Sequence, residues 1–153
     1  MQLQFGNGEP FANGATPFSF LPATGSDSSQ RIFVPVQIET LPTMAFIDTG
    51  GVYVICSPEI GRELSLNPGN GISALSMKTG RGNFQGELYR VQLTFLAEEN
   101  GANLSIEATA FVPRPDQGWP NELQCILGFQ GCLERIRCAV DPDTETFFFG
   151  DLN

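Results

Sequence analysis

The stretch Met44-Ala45-Phe46-Ile47-Asp48-Thr49-Gly50-Gly51 sets an apolar run directly against a carboxylate, a hydroxyl and two glycines. Met44 to Ile47 read as a buried strand, with Pro42 and Thr43 before it and glycines after it. Asp48 then stands where the strand leaves the core, and Gly50 and Gly51 allow backbone angles that a side chain would forbid. Asp-Thr-Gly-Gly is also good turn chemistry between two strands. The chain contains no histidine. That absence removes Ser-His-Asp and Cys-His catalysis, His-liganded zinc and histidine general bases. Carboxylates, Lys, Tyr and Cys remain as acid–base groups. Cys56, Cys125, Cys132 and Cys138 form no C-x-x-C pair, so neither a zinc site nor a thioredoxin-like site is expected. Their apolar neighbours, as in Val54-Ile55-Cys56 and Cys125-Ile126-Leu127, make them buried free thiols.

The elements that must position Asp48 follow from the pattern around it. Ile32, Val34, Val36 and Ile38 alternate along "RIFVPVQIET", a strand joined through "LPT" to the one leading into Asp48 as a hairpin. "GVYVICS" continues as another strand. Ser57, Pro58 and Glu59 carry helix-start chemistry, and Gly61 limits that helix to a turn or two. Two strands flank a glycine-rich turn from Thr79 to Gly86. In the second of them Leu88, Arg90, Gln92 and Thr94 face opposite to Tyr89, Val91, Leu93 and Phe95. "AEENGANL" reads as a hairpin turn, "LSIEATAFVP" as the strand after it, and "RPDQGWPNE" as a polar loop. "LQCILGFQGCLERIRCAVD" runs from a buried strand through a short amphipathic helix into another strand. "TETFFFGDLN" closes as an apolar strand. Phe147, Phe148 and Phe149 cannot all point inward from it, so at least one should meet either a second subunit or the N-terminal segment. Residues 1–30, rich in Gly, Asn, Pro, Ser and Thr, read as a loose arm with one short strand around Phe18 and Phe20, ahead of a domain over 31–153.

Ile47-Asp48-Thr49-Gly50, then a long hairpin with Gly80 and Gly82 at its tip, then Ile126-Leu127-Gly128 leading into a helix, is an order with a counterpart. From about Arg31 to Gly150 the chain resembles the retropepsin-like aspartic proteases, and in particular the cellular retropepsin-like domains of ubiquitin-shuttle proteins. The matching segments are "AFIDTGG", "SPEIGRELSL", "KTGRGNFQGELYRVQL" and "CILGFQGCLERIRCAVD". The resemblance implies an all-β fold, a closed β-barrel or sandwich with a flap hairpin and one short helix near the C-terminus. It also implies an aspartic endopeptidase acting on protein or peptide. Such chemistry needs two carboxylates so close that both cannot ionise; one takes a proton from water while the other donates to the substrate carbonyl. Asp-Thr-Gly occurs once, so a symmetric homodimer is required. Asp48 and its mate would form the dyad, Thr49 would hydrogen-bond across the two-fold axis, and Gly50 would let the backbone approach water and substrate. Ile126, Leu127 and Gly128 would support the loop from beneath. The hairpin from Met77 to Gly86, with Thr79, Gly80, Arg81 and Gly82 at its tip, would be the flap. Three positions depart from the pattern. Phe129 replaces the Arg or Asn of many viral relatives, Gln130 an Asp common in cellular members, and Gly51 the usual Ala or Ser.

Composition bounds the remainder. At 153 residues the chain suits one domain, and 13 Phe, 17 Gly and 11 Pro with only 16% charged residues suit a turn-rich β domain. A net charge of −9, with scattered basic residues, argues against a nucleic-acid partner. The start "MQLQFGNGEP" lacks signal-peptide character and no apolar run is long enough to span a bilayer, so a cytoplasmic protein with no membrane partner is expected. No cofactor and no metal are expected. Two other readings remain open: a non-catalytic dimerisation or peptide-binding module of the same fold, and a β-barrel carrier of small molecules lined by the many Phe residues.

Overall fold

A computed structural model describes residues 2–153. In chain order its elements are β1 (Leu3–Gln4), β2 (Pro10–Ala12), β3 (Gly14–Pro17), β4 (Ser19–Thr24), β5 (Asp27–Ile38), β6 (Leu41–Ile47), β7 (Val54–Cys56), α1 (Pro58–Glu63), β8 (Ser73–Thr79), β9 (Gly82–Phe95), β10 (Leu104–Pro113), β11 (Cys125–Leu127), β12 (Arg137–Asp141) and β13 (Thr146–Gly150). Eight of the strands form one mixed sheet in the order β4-β5-β6-β11-β7-β10-β9-β8. The far end of β5 also pairs with β9, Val36 opposite Phe95 and Ile38 opposite Leu93, which bends the sheet into a closed ring.

Period-2 patterning explains the ring. Val34, Val36 and Ile38 of β5 are completely buried, as are Val54 on β7 and Leu93 on β9, and together they fill the barrel. Each such side chain contributes about 1.5–3 kcal/mol by leaving water. A second apolar cluster, Phe46, Ile55, Phe84, Phe111, Trp119, Leu123 and Ile126, lies outside that interior and under the β8–β9 hairpin. The expected β5–β6 hairpin is present, with Phe33 opposite Phe46 and Ile38 opposite Leu41.

The short helix foreseen after Cys56 is α1. Ser57 caps it by accepting the Ile60 backbone N–H at 3.1 Å. It sits tight on β10, because a Cβ at Gly61 would fall 2.6 Å from Val112. The helix expected after Gly128 is a single 3-10 turn, Leu133–Arg135. Gly131, at φ +77°, precedes it and Ile136 is already extended, so the chain has no room for a second turn.

Within the expected arm, residues 2–30 hold more structure than one short strand. They contain β1 to β4 and the start of β5. Here β3 pairs with β13, which also pairs with β12, giving a three-stranded sheet in the order β12-β13-β3. β3 is short and made of Gly, Ala, Thr and Pro, so periodicity hardly marks it. Gly14 is the key to the fit: a Cβ there would lie 2.2 Å from the Phe149 ring. The three consecutive phenylalanines are all buried. Phe147 and Phe149 pack on Phe95, with centroids 6.2 and 5.5 Å away. Phe148 turns to the other face, onto Ala12 and Ala15. Of the two partner surfaces foreseen for that strand, the N-terminal segment is the one that covers it.

Candidate active site

The parallel pairing of β6 with β11 sets Phe46 beside Ile126 and Ile47 beside Leu127, so the two strands end together. Their continuations cross and lock through the backbone. The Asp48 N–H donates to the Leu127 carbonyl at 2.9 Å and the Gly51 N–H to the Asp48 carbonyl at 3.0 Å. In turn, the Gly128 N–H donates to the Tyr53 carbonyl and the Phe129 N–H to the Gly51 carbonyl, both at 2.8 Å. The Tyr53 N–H closes the lattice on the Gln130 carbonyl at 2.7 Å. Gly128 must be glycine for this crossing: a Cβ would stand 2.5 Å from the Tyr53 carbonyl oxygen and 2.8 Å from the Gly51 and Val52 backbone. Tyr53 itself has φ +65°, a left-handed conformation that costs an L side chain of order 1 kcal/mol and persists only where its surroundings hold it.

This lattice presents the Asp48 side chain, half-buried, with one carboxylate oxygen accepting the Gly50 N–H at 3.2 Å. Asp48, Gly50, Gly51, Ile55 and Ile126 line one side of a cleft of about 440 Å³, and Met77, Lys78, Thr79, Gly80 and Arg81 of the β8–β9 hairpin line the other. The structure therefore brings Asp48, Gly50, Ile126, Thr79, Gly80 and Arg81 to one cavity. Leu127 and Gly128 are buried beneath it, Thr49 is exposed at the loop's tip, and Gly82 starts the returning strand β9.

The hairpin tip is held mostly by side chains. The Thr79 hydroxyl donates to the Gly82 carbonyl at 3.0 Å and accepts the Arg81 N–H at 3.1 Å. The Arg81 guanidinium lies 3.5 Å from the Asp27 carboxylate, at the start of β5. Hydrogen bonds from Ser29, and then the charges of Arg31 and Arg81, hold the Asp27 carboxyl below its usual range.

Trp119 is the cleft residue that the sequence did not reveal. It lies in what reads as a polar loop, yet it is 7% exposed and lines the cleft. Its indole N–H donates to the Leu123 carbonyl at 2.7 Å, and its ring meets Phe84 edge-on at 4.9 Å. The signal was available: a lone tryptophan amid Pro, Gly, Asp and Asn is far larger than a solvated loop needs, and buried indoles usually find a partner for their N–H.

The thiols stay out of the chemistry. Cys56 and Cys125 face each other across β7 and β11, and burial pushes Cys56 and Cys132 up to about 12 and Cys125 well above its usual value. Protonated thiols of this kind are inert as nucleophiles. Among the described residues, no group of three or more His, Cys, Asp or Glu side chains is placed to hold a metal ion, and no helix is long and apolar enough to cross a membrane.

No protein-family model matches this sequence, and no curated protein matches it. Among solved structures, the chain is similar to a retropepsin-like aspartic protease from Rickettsia conorii, with a TM-score of 0.55 and 14% sequence identity, over 90% of this chain and 98% of that one. Identity this low speaks to the backbone alone. With its closed mixed sheet, its crossing strand ends and its overhanging hairpin, the chain has a retropepsin-like all-β fold.

Proposed function

We propose that the protein is an aspartic endopeptidase whose two catalytic carboxylates are the Asp48 side chains of a homodimer. The observation that carries this reading is the Asp48 carboxylate at the floor of a cleft roofed by a hairpin tip. One cleft holds one such carboxylate, and the chemistry requires two. In the dimer one Asp48 is ionised and its mate protonated, because two carboxylates at contact distance cannot both carry charge. The ionised one takes a proton from a water held between them, and the hydroxide formed attacks the scissile carbonyl carbon. Its mate donates a proton to the carbonyl oxygen. The tetrahedral diol then collapses: a proton passes to the amide nitrogen, the C–N bond breaks, and a carboxylic acid and an amine leave. Thr49, at the exposed tip of the loop, bonds across the two-fold axis, while Gly50 keeps the backbone close to the reacting water. Ile126, Leu127 and Gly128 fix the loop from beneath. Thr79, Gly80, Arg81 and Gly82 form the flap tip that closes over substrate and excludes bulk water. Ile55, Met77, Ile126 and Trp119 give the cleft apolar walls, suited to peptides with apolar side chains around the cleaved bond. The finer likeness to the domains of ubiquitin-shuttle proteins rests on motif order alone.

The test is Asp48→Asn, assayed on a denatured-protein or peptide library at mildly acid pH. The amide keeps the shape but neither takes nor shares a proton, and it appears in both subunits. Turnover should fall by about a hundred- to ten-thousand-fold for each positioned group lost. Wild-type activity should be bell-shaped in pH, falling when both members of the pair are ionised and again when both are protonated. Unchanged hydrolysis by Asp48→Asn would remove the enzyme reading and leave a peptide-binding module of the same fold.

A further inference from the structure

We propose that a second cavity, separate from the Asp48 cleft, binds a small organic carboxylate with an apolar body, its charge held between Arg62 and Arg114. The cavity measures about 180 Å³ and shares no lining residue with the cleft. It opens between α1, the segment that follows α1, and the stretch where β9 and β10 pair, with Glu87 opposite Val112. Its walls are fixed by the chain itself. Ser65 at φ +58° and Gly69 at φ +93° bend the segment after α1. The Glu87 carboxylate anchors that segment, accepting the Gly69 N–H at 2.6 Å and the Gly71 N–H at 3.3 Å. The Tyr89 hydroxyl donates to the Asn67 carbonyl at 2.7 Å, and the Arg114 N–H to the Gln85 carbonyl at 2.9 Å. A cavity held in this way takes a ligand without rearranging.

Charge identifies the ligand. The chain has eight basic residues against a net charge of −9. Arg31, Arg81 and Arg90 pair with carboxylates, and Arg135 and Arg137 donate to backbone carbonyls. Among the described residues Arg62 and Arg114 make neither an ion pair nor a side-chain hydrogen bond, and both line this cavity. Glu87 is the one carboxylate in the lining, and its two oxygens already accept backbone N–H groups. Two arginines against one glutamate leave the lining net positive. The rest is apolar: Leu66, Tyr89, Val112 and four prolines. Proline has no N–H, so these walls leave an anion to the guanidiniums. Their planar forks match the two oxygens of a carboxylate. A bare inorganic anion would leave the apolar walls without contact, so the ligand carries a hydrocarbon body. A free acid and the C-terminus of a peptide share this chemistry.

The experiment is titration of the full chain with benzoate and with N-acetylphenylalanine at constant ionic strength, followed by the backbone amide resonances. Both should bind at about millimolar affinity or better, as fits ligands this small. The amides of Leu66, Tyr89 and Arg114 should move and those of Asp48 and Gly50 stay. Benzamide and N-acetylphenylalanine amide, of the same shape without the charge, should bind about tenfold more weakly or not at all. Arg62→Gln and Arg114→Gln should each weaken benzoate by about tenfold, whereas Arg90→Gln, on a pair elsewhere on the surface, should not. Both cavity arginines are exposed, and circular dichroism should show each variant folded. Whichever acid binds more tightly, the carboxylate site stands, and the ranking tells a free acid from a peptide C-terminus. No shift with either acid, shifts centred on the Asp48 loop, amides binding as well as acids, or wild-type affinity in both arginine variants overturns the proposal.

Discussion

The two walls of the cleft both use glycine, for opposite reasons. In the crossing loops Gly128 is packed so closely that a Cβ would sit 2.5 Å from a carbonyl oxygen. At the flap tip nothing lies within 4 Å of where a Cβ would go on Gly80 or Gly82. Backbone hydrogen bonds running between two distant segments hold the loops, whereas the flap tip has two hydrogen bonds of its own and one exposed ion pair. Glycine buys closeness in one wall and conformational freedom in the other, where Gly82 has φ +120°. In the proposed dimer the carboxylate that meets a mate stands on the rigid wall, and the hairpin proposed to close over substrate is the loose one.

Gly128→Ala is the harshest way to break this contrast. The new methyl group meets backbone that cannot rotate away, and a cost of about 3 kcal/mol or more is expected in chemical denaturation. Hydrolysis should be lost with it, since the Asp48 loop hangs on the same lattice. A well-folded, active Gly128→Ala would mean that the crossing is not rigid.

Arg81→Gln should act more gently and elsewhere. It leaves the fold's stability unchanged within error but frees the flap tip from Asp27. Trp119, the one tryptophan of the chain, lines the same cleft. Its fluorescence should therefore become more accessible to acrylamide in Arg81→Gln. High salt should raise quenching in wild type and not in the variant, because exposed pairs are screened. Equal quenching in both proteins at low salt would show that the pair does not hold the flap. The smallest effect belongs to Gly80→Ala, within about 0.5 kcal/mol of wild type in the same denaturation assay.

The rigid wall was far more legible in sequence than what surrounds it. An apolar strand ending on Asp48 and a buried run at Ile126-Leu127 are local patterns, and the β5–β6 hairpin and the two faces of β9 follow from period-2 alternation. The parallel pairing that joins β6 to β11 is not local, and the sequence held no sign of it beyond the resemblance's implication that Ile126, Leu127 and Gly128 support the loop from beneath. Tyr53, at φ +65°, breaks the extended backbone expected to run from Gly51, so the regular strand begins only at Val54. The strands before Arg31 stayed hidden for a different reason. Gly14, Ala15 and Thr16 are small residues whose fit is set by Phe149, and no pattern within the segment points to that ring. Trp119 was hidden by its company, since its neighbours are all turn formers.

The pairing of β3 with β13 also sets the order in which the molecule can be made. On the ribosome Gly14–Pro17 emerge early, but their hydrogen-bonding partner is the last strand of the fold. Until it arrives, the first segment waits without its sheet, and Phe147, Phe148 and Phe149 must then find places already shaped by Phe95, Ala12 and Ala15. Contacts this distant in sequence slow folding and lengthen the exposure of unpaired edges. A nascent chain stalled before Thr146 therefore lacks both the partner of β3 and the Phe147 and Phe149 rings of the main core.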